Sequence, residues 1–113
     1  MPHYSRWDII KVPFPFAEGA GDKRRPALIV STEILSKEHR LYWLIMITSV
    51  IDPKWEGDIE IKDYSGAGLP VRSIIRTAKI ATLQEDRILG HIGRLGRKES
   101  KQVVTQLNKW LGN

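Results

Sequence analysis

The sequence predicts a mainly β fold: a compact, partly open barrel of short strands with small helical additions and a C-terminal helix. Three observations carry this. Short runs rich in β-branched and aromatic residues recur along the chain, punctuated by Gly, Pro and Asp. The segment Asp58-Ile59-Glu60-Ile61-Lys62 alternates with the period of a half-buried strand. Only the last segment shows an apolar stripe at helical spacing, and many strands with one terminal helix suit a small barrel.

Taken in order, Trp7 to Phe14 reads as a strand ending at prolines, and Ala17 to Arg25 as a loop with glycines and charges. Ala27 to Val30 follows Pro26 as a buried strand. Ser31 or Thr32 is placed to cap a short helical turn through Lys37, with Glu33 favourable in its first turn. Leu41 to Thr48 is apolar on both faces, which predicts one face in the core and the other against a partner. Asp52, Pro53 and Gly57 bound a loop, and Ser65 to Pro70 form another. Val71 to Arg76 and Lys79 to Leu83 read as two separate strands. Arg87 to Leu95 fits strand or helix by pattern; Gly90 and Gly93 favour strand. From Arg97 to Leu111, the residues Val103, Val104, Leu107, Trp110 and Leu111 share one helical stripe, and Gly112 stands where a helix stops.

The 113 residues suit a single domain spanning 1–113. Cysteine is absent, which rules out disulfides, thiolate metal sites and cysteine nucleophiles. Met1–Ile10 is mixed polar and aromatic, unlike a secretory signal. The longest apolar run, Leu41 to Ile47, falls short of the roughly 20 residues of a membrane span. A cytoplasmic protein is expected. The net charge of +5 and pI of about 9.7 suit a polyanionic partner, nucleic acid or acidic protein, although basic surfaces also serve solubility.

His3, His39 and His91 lack metal-ligand spacing, so no metal or other cofactor is expected. Gly19-Ala20-Gly21 lacks the remaining residues of either nucleotide-binding fingerprint, and no serine sits in a GxSxG elbow. The more informative cluster is Lys23-Arg24-Arg25-Pro26-Ala27-Leu28, with three cations where a loop meets a buried strand. Pro26 fixes the backbone and holds Arg25 extended, so its planar fork is positioned to take two oxygens of one phosphate. Thr48 and Ser49 close the apolar strand; such hydroxyls either satisfy local backbone groups or stand as donors beside a phosphate. Arg72, Arg76 and Lys79 form a second basic group, read either as a solvated face or as part of a binding surface.

Several stretches together resemble the MazF/PemK toxins. They are Asp8–Phe16, Gly21–Ser31 with its Arg25-Pro26 element, Ile47-Thr48-Ser49, Ser73–Arg76 followed by Lys79–Leu83, and Ile92–Leu95 leading into the helix. The resemblance is collinear over nearly the whole chain. It implies an SH3-like small β-barrel, a homodimer, and metal-independent cleavage of single-stranded RNA by 2′-OH attack. Products would be a 2′,3′-cyclic phosphate and a 5′-hydroxyl, and an acidic antitoxin protein would be the inhibitor. Carried over position by position, it implies Arg25, Thr48 and Arg76 as catalytic. Glu18 lies near, though not in line with, a functional glutamate that some members carry in the first loop, and Lys23, Arg24, Ser49 and Lys79 are expected with it in RNA binding from the basic groups and the strand end. Ala78 stands where PemK-type members carry an aspartate. A guanidinium stays protonated, so Arg25 suits an electrostatic clamp or a proton donor to the leaving oxygen better than a base. Glu18 and Asp22 are the alternatives for the base. Other readings are a barrel toxin similar to CcdB, acting by binding alone, and a nuclease-dead relative that binds RNA or its antitoxin.

Overall fold

A computed structural model describes residues 3–13 and 23–113. Residues 17–22 of the loop expected over Ala17–Arg25, with Glu18 and Asp22, lie outside the described residues, as does Phe14.

The six described strands are β1 (Asp8–Pro13), β2 (Arg24–Ile29), β3 (Leu41–Ser49), β4 (Asp58–Ile61), β5 (Ser73–Gln84) and β6 (Gly90–Arg94); helix α1 spans Arg97–Trp110. All pair antiparallel, in the order β4-β5-β3-β2-β1-β6. The sheet curls into an open half-barrel, as the expected fold class requires.

Alternation along the central strands sends side chains to two cores. Ile9, Leu28, Ile45, Ile47 and Ile75 pack with Leu69, Leu95 and Val103 of α1 on one face. Ile10, Val12, Ala27, Ile29, Leu44 and Met46 pack with Tyr42 and Leu83 on the other. Each such buried aliphatic side chain stabilises the fold by about 1.5–3 kcal/mol. This corrects the reading of β3 as a strand with one face left for a partner. Leu44, Ile45, Met46 and Ile47 are at most 3% exposed within the single chain. Packing within the chain, with Val103 of α1 on one face and Tyr42 and Leu83 on the other, buries these four side chains, while Trp43 of the same strand stays exposed.

Three local expectations also change. The helical turn over Ser31–Lys37 does not form. The Ser31 hydroxyl, the expected cap, instead accepts the Trp43 backbone N–H at 3.2 Å, and Leu35 bridges to Leu41. The two strands expected over Val71–Arg76 and Lys79–Leu83 form one strand, β5, which begins at Ser73 and leaves Val71 and Arg72 outside it. Its register against β3 shifts between Met46↔Arg76 and Ile45↔Ile80, leaving Thr77, Ala78 and Lys79 as an irregularity that interrupts the alternation. Finally, β2 starts at Arg24 rather than Ala27. Its ladder with β1 extends to Pro13↔Arg24, whereas its pairing with β3 begins at Ala27, just past Pro26, which has no N–H to give. The strand read over Arg87–Leu95 forms as β6, after a 3-10 turn at Glu85–Arg87.

Helix α1 follows the expected stripe. Val103 is fully buried and Leu107 packs at the core's margin, while Trp110 and Leu111 remain exposed. Gly112 stops the helix at φ 88°. None of the described helices is long and apolar enough to cross a membrane.

Candidate active site

Arg25 and Thr48 come together through strand register. The β2–β3 ladder pairs Ala27 with Met46; continued from 27 to 25 and from 46 to 48, it sets Arg25 opposite Thr48. Ala27 and Met46 share one core, so by alternation Arg25 and Thr48 leave the sheet on that same face. Both line a groove of about 280 Å³ with Lys23, Arg24, Pro26, Ser49, Leu69, Pro70, Val71 and Ser73. Lys23 and Arg24 are exposed, whereas Arg25, Thr48 and Ser49 are half-buried. Half-burial between fixed strands is the setting in which a guanidinium keeps its aim and its charge is less screened by water.

The groove's outer wall, Leu69–Val71, is fixed from behind by two glycines. A Cβ on Gly93 of β6 would lie 1.9 Å from the Ala67 carbonyl oxygen. One on Gly68, at φ 89°, would lie 2.5 Å from the Ile92 carbonyl oxygen. Only glycine lets these two backbones approach so closely.

Arg76 stands on the same sheet face, since β5 pairs it with Met46 and pairs Ile74 with Thr48. Its guanidinium, however, points away from the groove. Nε and Nη2 donate to Asp58 at 3.2 and 2.9 Å, and Nη2 donates to the Pro53 carbonyl at 2.6 Å. The Trp55 ring lies 4.3 Å below it. The hydrogen bond to Asp58 raises the Arg76 pKa above the arginine range against burial, and the charges of Asp58 and Asp52 add to that.

Lys79 is exposed in the β5 irregularity and is not part of the groove. Neither is neighbouring Ala78, which lines a separate apolar groove with Trp43, Ile80 and Trp110. The departure at position 78 therefore falls outside the Arg25–Thr48 groove. Arg72 pairs at the surface with Glu60 at 2.8 Å.

Sequence reading missed the acidic partners. Thr48 Oγ1 donates a hydrogen bond to Asp52 Oδ2, and Asp58 holds Arg76. The available signal was an aspartate four residues after the key threonine, in an Asp-Pro turn that folds the chain back on the strand end. Among the described residues, no three His, Asp or Glu side chains gather as a metal cluster would.

With this geometry in view, comparisons with known proteins are specific. The model of the PemK-like, MazF-like toxin of type II toxin–antitoxin systems matches residues 5–111. A search of curated protein sequences finds no match. Among solved structures, the chain is similar to a MazF crystal structure from Deinococcus radiodurans. Identity is 18% and TM-score 0.77, with 100% of each chain covered. A MazE–MazF structure from the same organism gives 17% and 0.76, covering 99% of this chain and 98% of that one. An endoribonuclease in complex with its cognate antitoxin, from a mycobacterial species, gives 16% and 0.73, covering 99% and 96%. At such identities the structural likeness is one of fold, while the family match spans nearly the whole chain. The chain belongs to the PemK-like, MazF-like toxins of type II toxin–antitoxin systems.

Proposed function

We propose that this toxin is an endoribonuclease that cleaves single-stranded RNA without a metal ion, leaving a 2′,3′-cyclic phosphate and a 5′-hydroxyl. The observation that carries the reading is the pairing of Arg25 and Thr48 in one cation-lined groove, in a chain of this toxin family. In the reaction the ribose 2′-oxygen attacks the adjacent phosphorus and the 5′-oxygen leaves. Negative charge gathers on the non-bridging oxygens, where a fixed guanidinium is worth most. Arg25 is the clamp on those oxygens. Lys23 and Arg24, exposed beside it, attract the backbone on either side. Single strands suit the groove because in-line attack needs a backbone splayed out of A-form geometry.

Ser49 also lines the groove and is assigned to RNA contact. Arg76 is read as a residue that organises the site by tying β5 to the 53–58 segment. The proposed inhibitor is an acidic antitoxin segment that covers the same cations, as the antitoxin-bound relatives suggest by analogy. A homodimer is part of the reading. The apolar groove of Trp43, Ile80 and Trp110 between β3, β5 and α1 supports it, since exposed apolar patches commonly mark protein interfaces. The activity is assigned to the cytoplasm.

The test is incubation of purified protein with single-stranded RNA in excess EDTA, followed by end-group analysis. Cleavage with 5′-hydroxyl ends is expected. Products bearing 5′-phosphate, or activity abolished by the chelator, overturn the mechanism. Retarded RNA mobility without cleavage identifies a binding protein instead.

A further inference from the structure

Among the described residues, the groove supplies a clamp for the phosphate but no evident base for the 2′-hydroxyl. A hydroxyl has one proton to donate and two lone pairs to accept with. The Thr48 proton is already directed at Asp52, since Oγ1 donates to Oδ2. As folded, Thr48 therefore presents an acceptor, not a donor, to whatever enters the groove that it lines. Of the groups facing that groove, Lys23, Arg24 and Arg25 carry only donors.

On the reading that the protein cleaves RNA, we propose that Asp52 is the proton acceptor behind Thr48. The two form a relay that deprotonates the attacking 2′-hydroxyl. The 2′-OH donates to Thr48 Oγ1. As the 2′-oxygen bonds to phosphorus, its proton passes to Oγ1 and the Thr48 proton passes to Asp52 Oδ2. The P–O5′ bond breaks, and the leaving 5′-oxygen takes a proton from solvent water. Asp52 then returns its proton through Thr48 to solvent, so charge and protons balance over the turnover. Asp52 acts through Thr48 and is a positioning residue; it does not touch RNA.

Its setting suits that task. Asp52 is half-buried, so water competes less for its oxygens than at an exposed carboxylate. Arg76 from β5 gives its hydrogen bonds to Asp58 of β4 and to Pro53 and acts on Asp52 through charge.

The experiment is single-turnover cleavage of a short RNA across pH by the full-length protein, Asp52→Asn and Thr48→Ala. Affinity is measured separately on the same oligonucleotide with a 2′-deoxy linkage at the cleavage site. Asn keeps an oxygen for the Thr48 hydrogen bond but cannot take up its proton. Asp52→Asn should lower kcat by about 100-fold or more, the scale of losing general-base assistance. Affinity for the deoxy oligonucleotide should stay within about twofold, and the fall in kcat on the acid side should vanish, because a uniform binding defect would move affinity instead. The Thr48→Ala/Asp52→Asn pair should be no slower than the slower single variant, since a relay acts as a unit. Wild-type kcat with an unchanged pH profile in Asp52→Asn overturns the relay and leaves the nuclease reading intact. So do losses that multiply in the double variant, which keep the relay testable if Asp52→Asn is partly unfolded. A wild-type protein that cleaves no RNA overturns both.

Discussion

Arg76 grips Asp58 with two nitrogens across the β5–β4 ladder, in which the two residues are direct partners. The side chains are 9% and 2% exposed, so neither charge has much water to fall back on. Removing one partner strands the other. Asp58→Ala should therefore cost about 3–5 kcal/mol, the range for breaking a buried pair. Urea unfolding measures this. A loss within that of a surface substitution would show that the pair is solvated. Loosening the 53–58 segment should also lower RNA cleavage, because Asp52 sits at its base.

Arg25→Ala should lower turnover by about 100-fold or more, the scale of removing one donor to a developing oxyanion. Thr48→Ala should lose a comparable factor. Neither side chain belongs to a core cluster, so circular dichroism and unfolding midpoints should stay close to wild type. Full activity in a folded Arg25→Ala would remove the groove from consideration.

Acid stability should depend on Glu85. Burial pushes its carboxyl up, but hydrogen bonds from Arg40 and Tyr42, with the Arg40 charge, outweigh that and hold the pKa below the usual carboxylate range. A depressed folded-state pKa stabilises the fold above the unfolded value, and that contribution is lost as pH falls through the folded one. Glu85→Gln should be less stable than wild type at neutral pH, and the two melting curves should converge on acidification. Curves that stay parallel from neutral to acid pH would contradict this linkage.

Gly93→Ala tests the groove wall. Its Cβ would collide with the Ala67 carbonyl, so one backbone must move. A cost of about 1–3 kcal/mol is expected from overpacking. Because Leu69–Val71 moves with Ala67, RNA cleavage should fall even where the protein remains folded. Gly90→Ala is the control, since a Cβ there meets nothing within 4 Å. Equal behaviour of the two variants would show that the loop does not set the groove.

Much of this architecture was legible in the residues. Alternation found β4, apolar runs found β1, β2 and β3, and the stripe ending at Gly112 found α1, because these signals are local and each strand or helix expresses its own period. The Arg25-Pro26 element stood out as a cation held beside a fixed backbone, whereas Thr48 was singled out by the family resemblance, since a hydroxyl at a strand end serves as readily to satisfy local backbone groups. What the sequence could not determine depended on pairing. Whether the second face of β3 was covered was decided by packing within the chain, which buries Leu44 and Met46 as fully as Ile45 and Ile47. The irregularity at Thr77–Lys79 arises from β5 serving two registers against one strand. Lys79 and Ala78 lie in it, outside the groove that Val71 and Ser73 line. Asp52 and Asp58 carried no message of their own in a loop and at a strand start; only folding set one against Thr48 and the other against Arg76. A carboxylate's role is fixed by which donor it meets, and that meeting is a property of tertiary structure.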